Sequence, residues 1–141
     1  MIAEAEMLME RQTVSWYEPW DTTFGYAHAV RLGRQVFISG TAADDADGHI
    51  VGTDITTQTR YIFYKIEKML AEAGGTMREV VRTRLFLKDI SHWQAAAHVH
   101  GEFFEGIRPA LTMVKVSGLI DPQALIEIEV DAVITEKECV D

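Results

Sequence analysis

Three carboxylates stand at alternate positions near the end of the chain, Glu127, Glu129 and Asp131, inside the apolar run from Ala124 to Ile134. At the two-residue period of a β-strand they share one side with Leu125 and Val133, while Ile126, Ile128, Val130, Ala132 and Ile134 take the other. The apolar side reads as core. Acids are depleted in ordinary strands, so the opposite side either faces water or lines a place where a carboxylate takes and returns a proton. Ser39-Gly40-Thr41 ends another apolar strand with two hydroxyls and exposed amides, a pattern that holds an anion or carbonyl or simply closes a strand. Arg82 and Arg84 alternate along a third strand, where guanidinium groups can grip a carboxylate.

Other polar clusters point to less. His98 and His100 lie two apart and cannot share a helix face, so they are no metal pair. His100 falls in the hydrophobic stripe of its helix, as a core-edge histidine bonded to a neighbour or as a site group. Asp44-Asp45-Ala46-Asp47-Gly48 is an acidic turn lacking the further ligands of a calcium loop, so no metal is assigned, and no cofactor is expected. With 13 basic against 22 acidic residues the net charge is -9, which repels a phosphate backbone and argues against a nucleic-acid partner. No stretch approaches a membrane span, and Glu4 and Glu6 stand where a secretion signal would want basic residues. The lone Cys139 can form no intrachain disulfide. A cytoplasmic protein with no membrane partner is expected.

The elements that must position these groups follow from periodicity. Residues 1–23 read as an N-terminal arm, residues 24–135 as one domain, and residues 136–141 as a polar tail. The aromatics Trp16, Tyr17 and Trp20 around Pro19 pack the arm onto the body or wall a ligand pocket. Phe24 to Val30 and Gln35 to Gly40 form a hairpin with Gly33 in its turn. Asp54 to Ala73 is an amphipathic helix capped by Thr53, whose Arg60 and Lys65 are solvated. Val80 to Lys88 is a strand. A second helix opens on a Ser91/Gln94 capping box and buries Trp93, Ala96, Ala97, His100, Phe103 and Phe104. Ala110 to Val116 is extended after Pro109. Two helices cover only one face of one sheet. The open face is expected to carry Arg82, Arg84, Leu111, Met113, Lys115, Glu127 and Glu129, a mixture suited to an oligomer interface.

From Tyr26 to Ile134 the chain resembles the RidA/YjgF/YER057c/UK114 family, the reactive intermediate deaminases. The likeness runs through Gly25-Tyr26, Phe37-Ile38-Ser39-Gly40, Gln58, Ala73-Gly74, Phe86-Leu87-Lys88-Asp89, Phe103-Phe104, Arg108-Pro109-Ala110 and above all Ile126-Glu127-Ile128-Glu129. It implies a chorismate-mutase-like α/β (α+β) fold, a single sheet with two helices on one face, assembled as a homotrimer with a small-molecule ligand at the subunit interface. It also implies hydrolysis of reactive enamines and imines. Glu127 matches the glutamate thought to activate water, and Tyr26, Ser39 and Gly40 match pocket-forming stretches. The family's carboxylate-binding arginine follows Pro-Ala, where this chain has Leu111; Arg108 matches an additional arginine of many members. The resemblance is therefore to a diverged branch. Candidate substrate-binding residues are Tyr26, Ser39, Gly40, Arg82, Arg84, His100, Arg108 and Leu111, with Glu127 as the catalytic group. A noncatalytic metabolite-binding trimer, or less readily an endoribonuclease or translation inhibitor, is the rival reading.

Overall fold

The computed structural model describes residues 10–16 and 20–135. Tyr17 and Pro19 of the aromatic stretch, and Cys139 of the tail, lie outside the described residues. In chain order the elements are β1 (Arg11–Val14), α1 (Trp20–Phe24), β2 (Ala29–Leu32), β3 (Gln35–Thr41), α2 (Ile55–Glu72), β4 (Val80–Leu87), α3 (Trp93–Phe104), β5 (Ala110–Lys115) and β6 (Ile126–Val133). One six-stranded sheet runs β1-β2-β3-β6-β4-β5. Every neighbouring pair is antiparallel except β4 and β5, joined by α3.

β6 comes last in the chain yet lies between β3 and β4. Its alternation explains this place: Ile126, Ile128, Val130 and Ala132 are buried beneath the helices. Ile62, Phe63, Ile66, Met69 and Leu70 of α2, with Ala96, Val99 and Phe104 of α3, complete the core. Phe63 stacks against Phe103 and Phe104 at ring separations of 5.2 and 5.4 Å, joining the two helices.

Several local expectations change. The first hairpin strand is shorter than its apolar stretch, because Trp20–Phe24 winds into α1 and pairing begins at Ala29. Within the segment read as an arm, Arg11–Val14 adds an edge strand to β2. Gly33 does sit in the turn, at φ +62°. Asp54, rather than Thr53, caps α2 by accepting from the Thr57 amide at 2.8 Å. Asp89 accepts from Ser91 and caps a short 3-10 turn, so α3 starts at Trp93 and that side chain is exposed. Lys65 is buried rather than solvated.

Register also corrects the face assignment. Thr83 lies beside Leu111, Leu85 beside Met113 and Leu87 beside Lys115 in the parallel β4–β5 pair. Laterally paired residues point the same way, so Leu111, Met113 and Lys115 belong to the helix side instead of the open face. A bulge at Val81 resets β4, leaving Val80 buried and Val81 exposed. Arg82, Arg84, Glu127 and Glu129 do share the open face, with Arg84 beside Glu129 and Phe86 beside Glu127.

One side chain clamps the entry to β6. Gln58, fully buried, donates to the Gly52 and Gln123 carbonyls and accepts from the Leu125 amide at 2.8 Å. Gln58→Leu leaves three part-buried backbone groups without these partners and should cost about 2 to 3 kcal/mol in urea unfolding. A loss below about 0.5 kcal/mol would mean that water replaces the amide.

Candidate functional site

β6 presents Glu127 half-buried on the open face, and β3 makes room for it. Ile38 pairs with Val130 and Thr41 with Ile128, so Ser39 and Gly40 form a bulge in the strand next to the carboxylates. A Cβ placed on Gly40 would overlap Glu127 Oε1, so glycine lets the carboxylate lie against the strand and any larger residue would push it aside. Among the described residues no cation lies within 4 Å of Glu127 or Glu129. Burial first, then the negative charges of Glu129 and Asp44, push the Glu127 carboxyl above the ordinary glutamate range. A carboxylate raised toward neutral pH on a rigid strand can both accept and return a proton.

The bulge residues serve mainly to build this wall. The Ser39 amide and hydroxyl both donate to the His28 carbonyl, at 2.9 and 3.1 Å, and the Thr41 hydroxyl donates to the Ser39 carbonyl. The hydroxyls thus have backbone partners, contrary to the open anion cradle that Ser-Gly-Thr also allowed. Tyr26 is exposed, its ring edge-on to His28 at 5.4 Å. His28 Nδ1 accepts from the Trp16 amide at 3.1 Å, which places the ring proton on Nε2. Burial, and secondarily the Lys65 charge, lowers the proton affinity of His28. The sequence reading missed both His28 and Lys65. Their only signals were the two-residue spacing from Tyr26 to His28 and a lysine on an apolar helix face.

Arg82 and Arg84 stand apart from Glu127. Arg84 Nη1 lies 3.2 Å and Arg82 Nε 3.9 Å from the same Asp131 oxygen, so the third carboxylate of β6 serves the two arginines. Both pairs are substantially solvated and add little stability.

His100, Arg108 and Leu111 meet in a third place, an open groove of about 520 Å³ between the C-terminal end of α3 and β5, lined also by Phe104, Glu105 and Pro109. Arg108 is exposed and holds a left-handed φ of +57°, the only such non-glycine residue among those described. Its amide donates to the Phe104 carbonyl, ending the helix, and Pro109 then sends the chain into β5. His100 is buried, with Nε2 2.8 Å from Thr83 Oγ1 and its ring against Phe63 and Phe104. Leu111 shares the helix side with Thr83, whereas Glu127 is on the open face. One chain therefore does not bring the groove and the carboxylate together. Away from these sites, Asp45, Asp47 and His49 place ligand atoms within 4.8 Å of one another, but the Asp45 carboxylate already accepts from the amides of the other two.

Burial pushes the His100 ring down to about 4, so it is neutral at physiological pH. The unfolded chain binds this proton near 6.5 and the folded chain only near 4. The associated stability is whole above the unfolded value and is lost as pH falls through the folded one, about 3 kcal/mol in all. The stability gap between wild type and His100→Gln should shrink by that order between pH 6.5 and 4. A pH-independent gap, read from denaturant midpoints, would contradict it.

A single mixed sheet with two long helices on one side and a half-buried glutamate on the other defines a chorismate-mutase-like α/β protein. The family model described as Endoribonuclease L-PSP matches residues 18–134. An uncharacterized Streptomyces coelicolor protein is 35% identical over 114 residues, covering 81% of this chain and 85% of its own. The 3-aminoacrylate deaminase RutC of Acinetobacter baylyi is 36% identical over 104 residues, 73% of this chain and 82% of the relative. A crystal structure from Mycobacterium tuberculosis, of a YjgF/YER057c/UK114 member, superposes with a TM-score of 0.81 at 41% identity, covering 89% of this chain and all of the other. This chain belongs to the Endoribonuclease L-PSP family, the YjgF/RidA proteins. Among the described residues no helix is long and apolar enough to cross a membrane.

Proposed function

We propose that the protein is a Rid-type deaminase that hydrolyses an enamine or imine of a small metabolite to a carbonyl compound and ammonia. The single observation that carries this reading is Glu127: half-buried, seated over Gly40, raised in proton affinity and without a cation among the described residues. Hydrolysis adds water to the carbon of a protonated imine and then expels ammonia from the carbinolamine. Glu127 takes the proton from water as it attacks and returns one to the departing nitrogen. The relative named as a 3-aminoacrylate deaminase supports this class of chemistry.

The working form is proposed as a cytoplasmic homotrimer with the ligand between subunits. Its support is the separation of the Glu127 wall from the His100–Arg108–Leu111 groove on opposite faces, together with the exposed edge strand β5 and the exposed Phe37, Val114 and Val133. A copy whose groove met the neighbour's open face would join the two halves.

Ammonia release from a panel of freshly generated imines, charged, neutral and aromatic, tests the reading. If none reacts above the uncatalysed rate, the noncatalytic metabolite-binding trimer takes its place. Two observations favour that rival: Leu111 in the groove, and Arg82 and Arg84 both directed at Asp131. The name of the family model raises RNA cleavage, but a net charge of -9 opposes a phosphate backbone.

A further inference from the structure

Lys65 is the feature that neither the core nor the proposed chemistry explains. It projects from the middle of α2 and is 3% exposed. Its ammonium lies 2.7 Å from Asp44 Oδ1, donates to the Ala42 carbonyl at 3.0 Å, and sits 5.0 Å from the Trp16 ring centroid. A buried ion pair is a poor device for stability alone, because two apolar residues of similar volume often serve as well or better. Its location suggests another use. Ala42 and Asp44 follow by two and four residues the Ser39–Gly40 bulge against which the Glu127 carboxylate rests.

We propose that the part-buried Lys65–Asp44 ion pair is a positioning element for Glu127: anchored in α2, it clamps the segment leaving the bulge, fixes the Asp44 charge near Glu127, and so governs when Glu127 carries its proton. Asp44 is among the groups that raise Glu127, after burial and Glu129. Lys65, paired with Asp44 at 2.7 Å, offsets part of that charge. The other surroundings of Glu127 offer little competition. Phe86 stands opposite it on β4, Arg84 beyond is directed at Asp131, and β3 contributes only Ser39 and Gly40. On the β2 side, His28 is neutral because Nδ1 accepts a hydrogen bond. Among the described residues, Glu129 on β6 is the other charge that raises Glu127.

Removing one partner therefore moves Glu127 in a direction set by sign. Asp44→Asn deletes the negative charge and uncovers the cation, so Glu127 should titrate lower. Lys65→Met removes the positive charge beside Asp44, so Glu127 should titrate higher. Each shift should be about half a pH unit or more, as for charges separated by several ångströms near a surface. The double variant, neutral at both positions, should fall between the two.

The measurement is the titration midpoint of the Glu127 carboxyl carbon by NMR, assigned by its loss in Glu127→Gln. Lys65→Gln, which keeps hydrogen-bond donors without charge, replaces Lys65→Met if the latter does not fold. Opposite shifts in the two single variants support the inference. Unmoved midpoints in folded variants, with only their melting temperatures lowered, would show a purely structural pair and overturn it. The role in turnover rests on the deaminase reading, but the titration needs no substrate. Shifted midpoints without turnover of any imine would uphold control of Glu127 and remove the deaminase assignment. Where turnover is present, the acid limb of its pH profile should move with the midpoint.

Discussion

Glu127→Gln should lower imine turnover by about 100-fold or more while leaving the fold intact. The amide fills the same space over Gly40 but can neither take a proton from water nor return one to the leaving nitrogen. Stability should move the other way or not at all. Because Glu127 is raised in the folded chain, its bound proton favours folding below the ordinary glutamate pKa. That contribution is lost as pH rises through the raised value, so near neutrality the ionised carboxylate opposes folding. Glu127→Gln removes the opposition. Ammonia release and urea unfolding at pH 7 on the same preparation check both halves. Unchanged turnover of an accepted imine would remove Glu127 from the mechanism, and a large loss of stability would attribute any loss of activity to the fold.

Short 2-imino acids should be poor substrates, because the family resemblance implies a carboxylate anchor directly after Pro-Ala, where this chain holds Leu111. A missing charge-assisted contact costs roughly 2 to 5 kcal/mol when nothing replaces it. Leu111→Arg should improve this substrate class specifically. Glu105 lines the same groove and is the first acid a new guanidinium would meet, so Leu111→Arg with Glu105→Gln belongs beside the single change. Arg108 shares the groove with Leu111, whereas Arg82 and Arg84 lie on the other face beside Asp131. If Arg108 is the substitute anchor, wild-type turnover is respectable and Arg108→Ala raises KM sharply. Strong wild-type turnover that is insensitive to Arg108→Ala, Arg82→Ala and Arg84→Ala would defeat both accounts.

The distribution of these groups was only partly legible in the chain. Two-residue alternation in β6 assigned Ile126, Ile128 and Val130 to the core and Glu127 to the opposite face. Helical spacing in α2 marked Ile62, Ile66, Met69 and Leu70 as buried. Both hold because a period is set by backbone geometry, and one apolar side or stripe must be covered. Gly33 in its turn was legible for a similarly local reason.

Strand-to-strand register was not local. Alternation divides β5 into two sides without saying which faces the helices, and only the parallel pairing with β4 put Leu111 and Met113 under α3. Two bulges, each shifting its strand by one residue, exposed Val81 in β4 and gave Gly40 in β3 its place against Glu127. Lys65 looked solvated because a single charge on an amphipathic helix usually is. Asp44 and the Ala42 carbonyl, more than 20 residues earlier, make its burial tolerable. The same holds for Arg82 and Arg84, whose partner proved to be Asp131. Sequence by itself determined which residues alternate and which face must be dry, since those follow from geometry within one element. Tertiary structure decided which charges meet, because ion pairing and burial depend on distances between elements that no local period encodes.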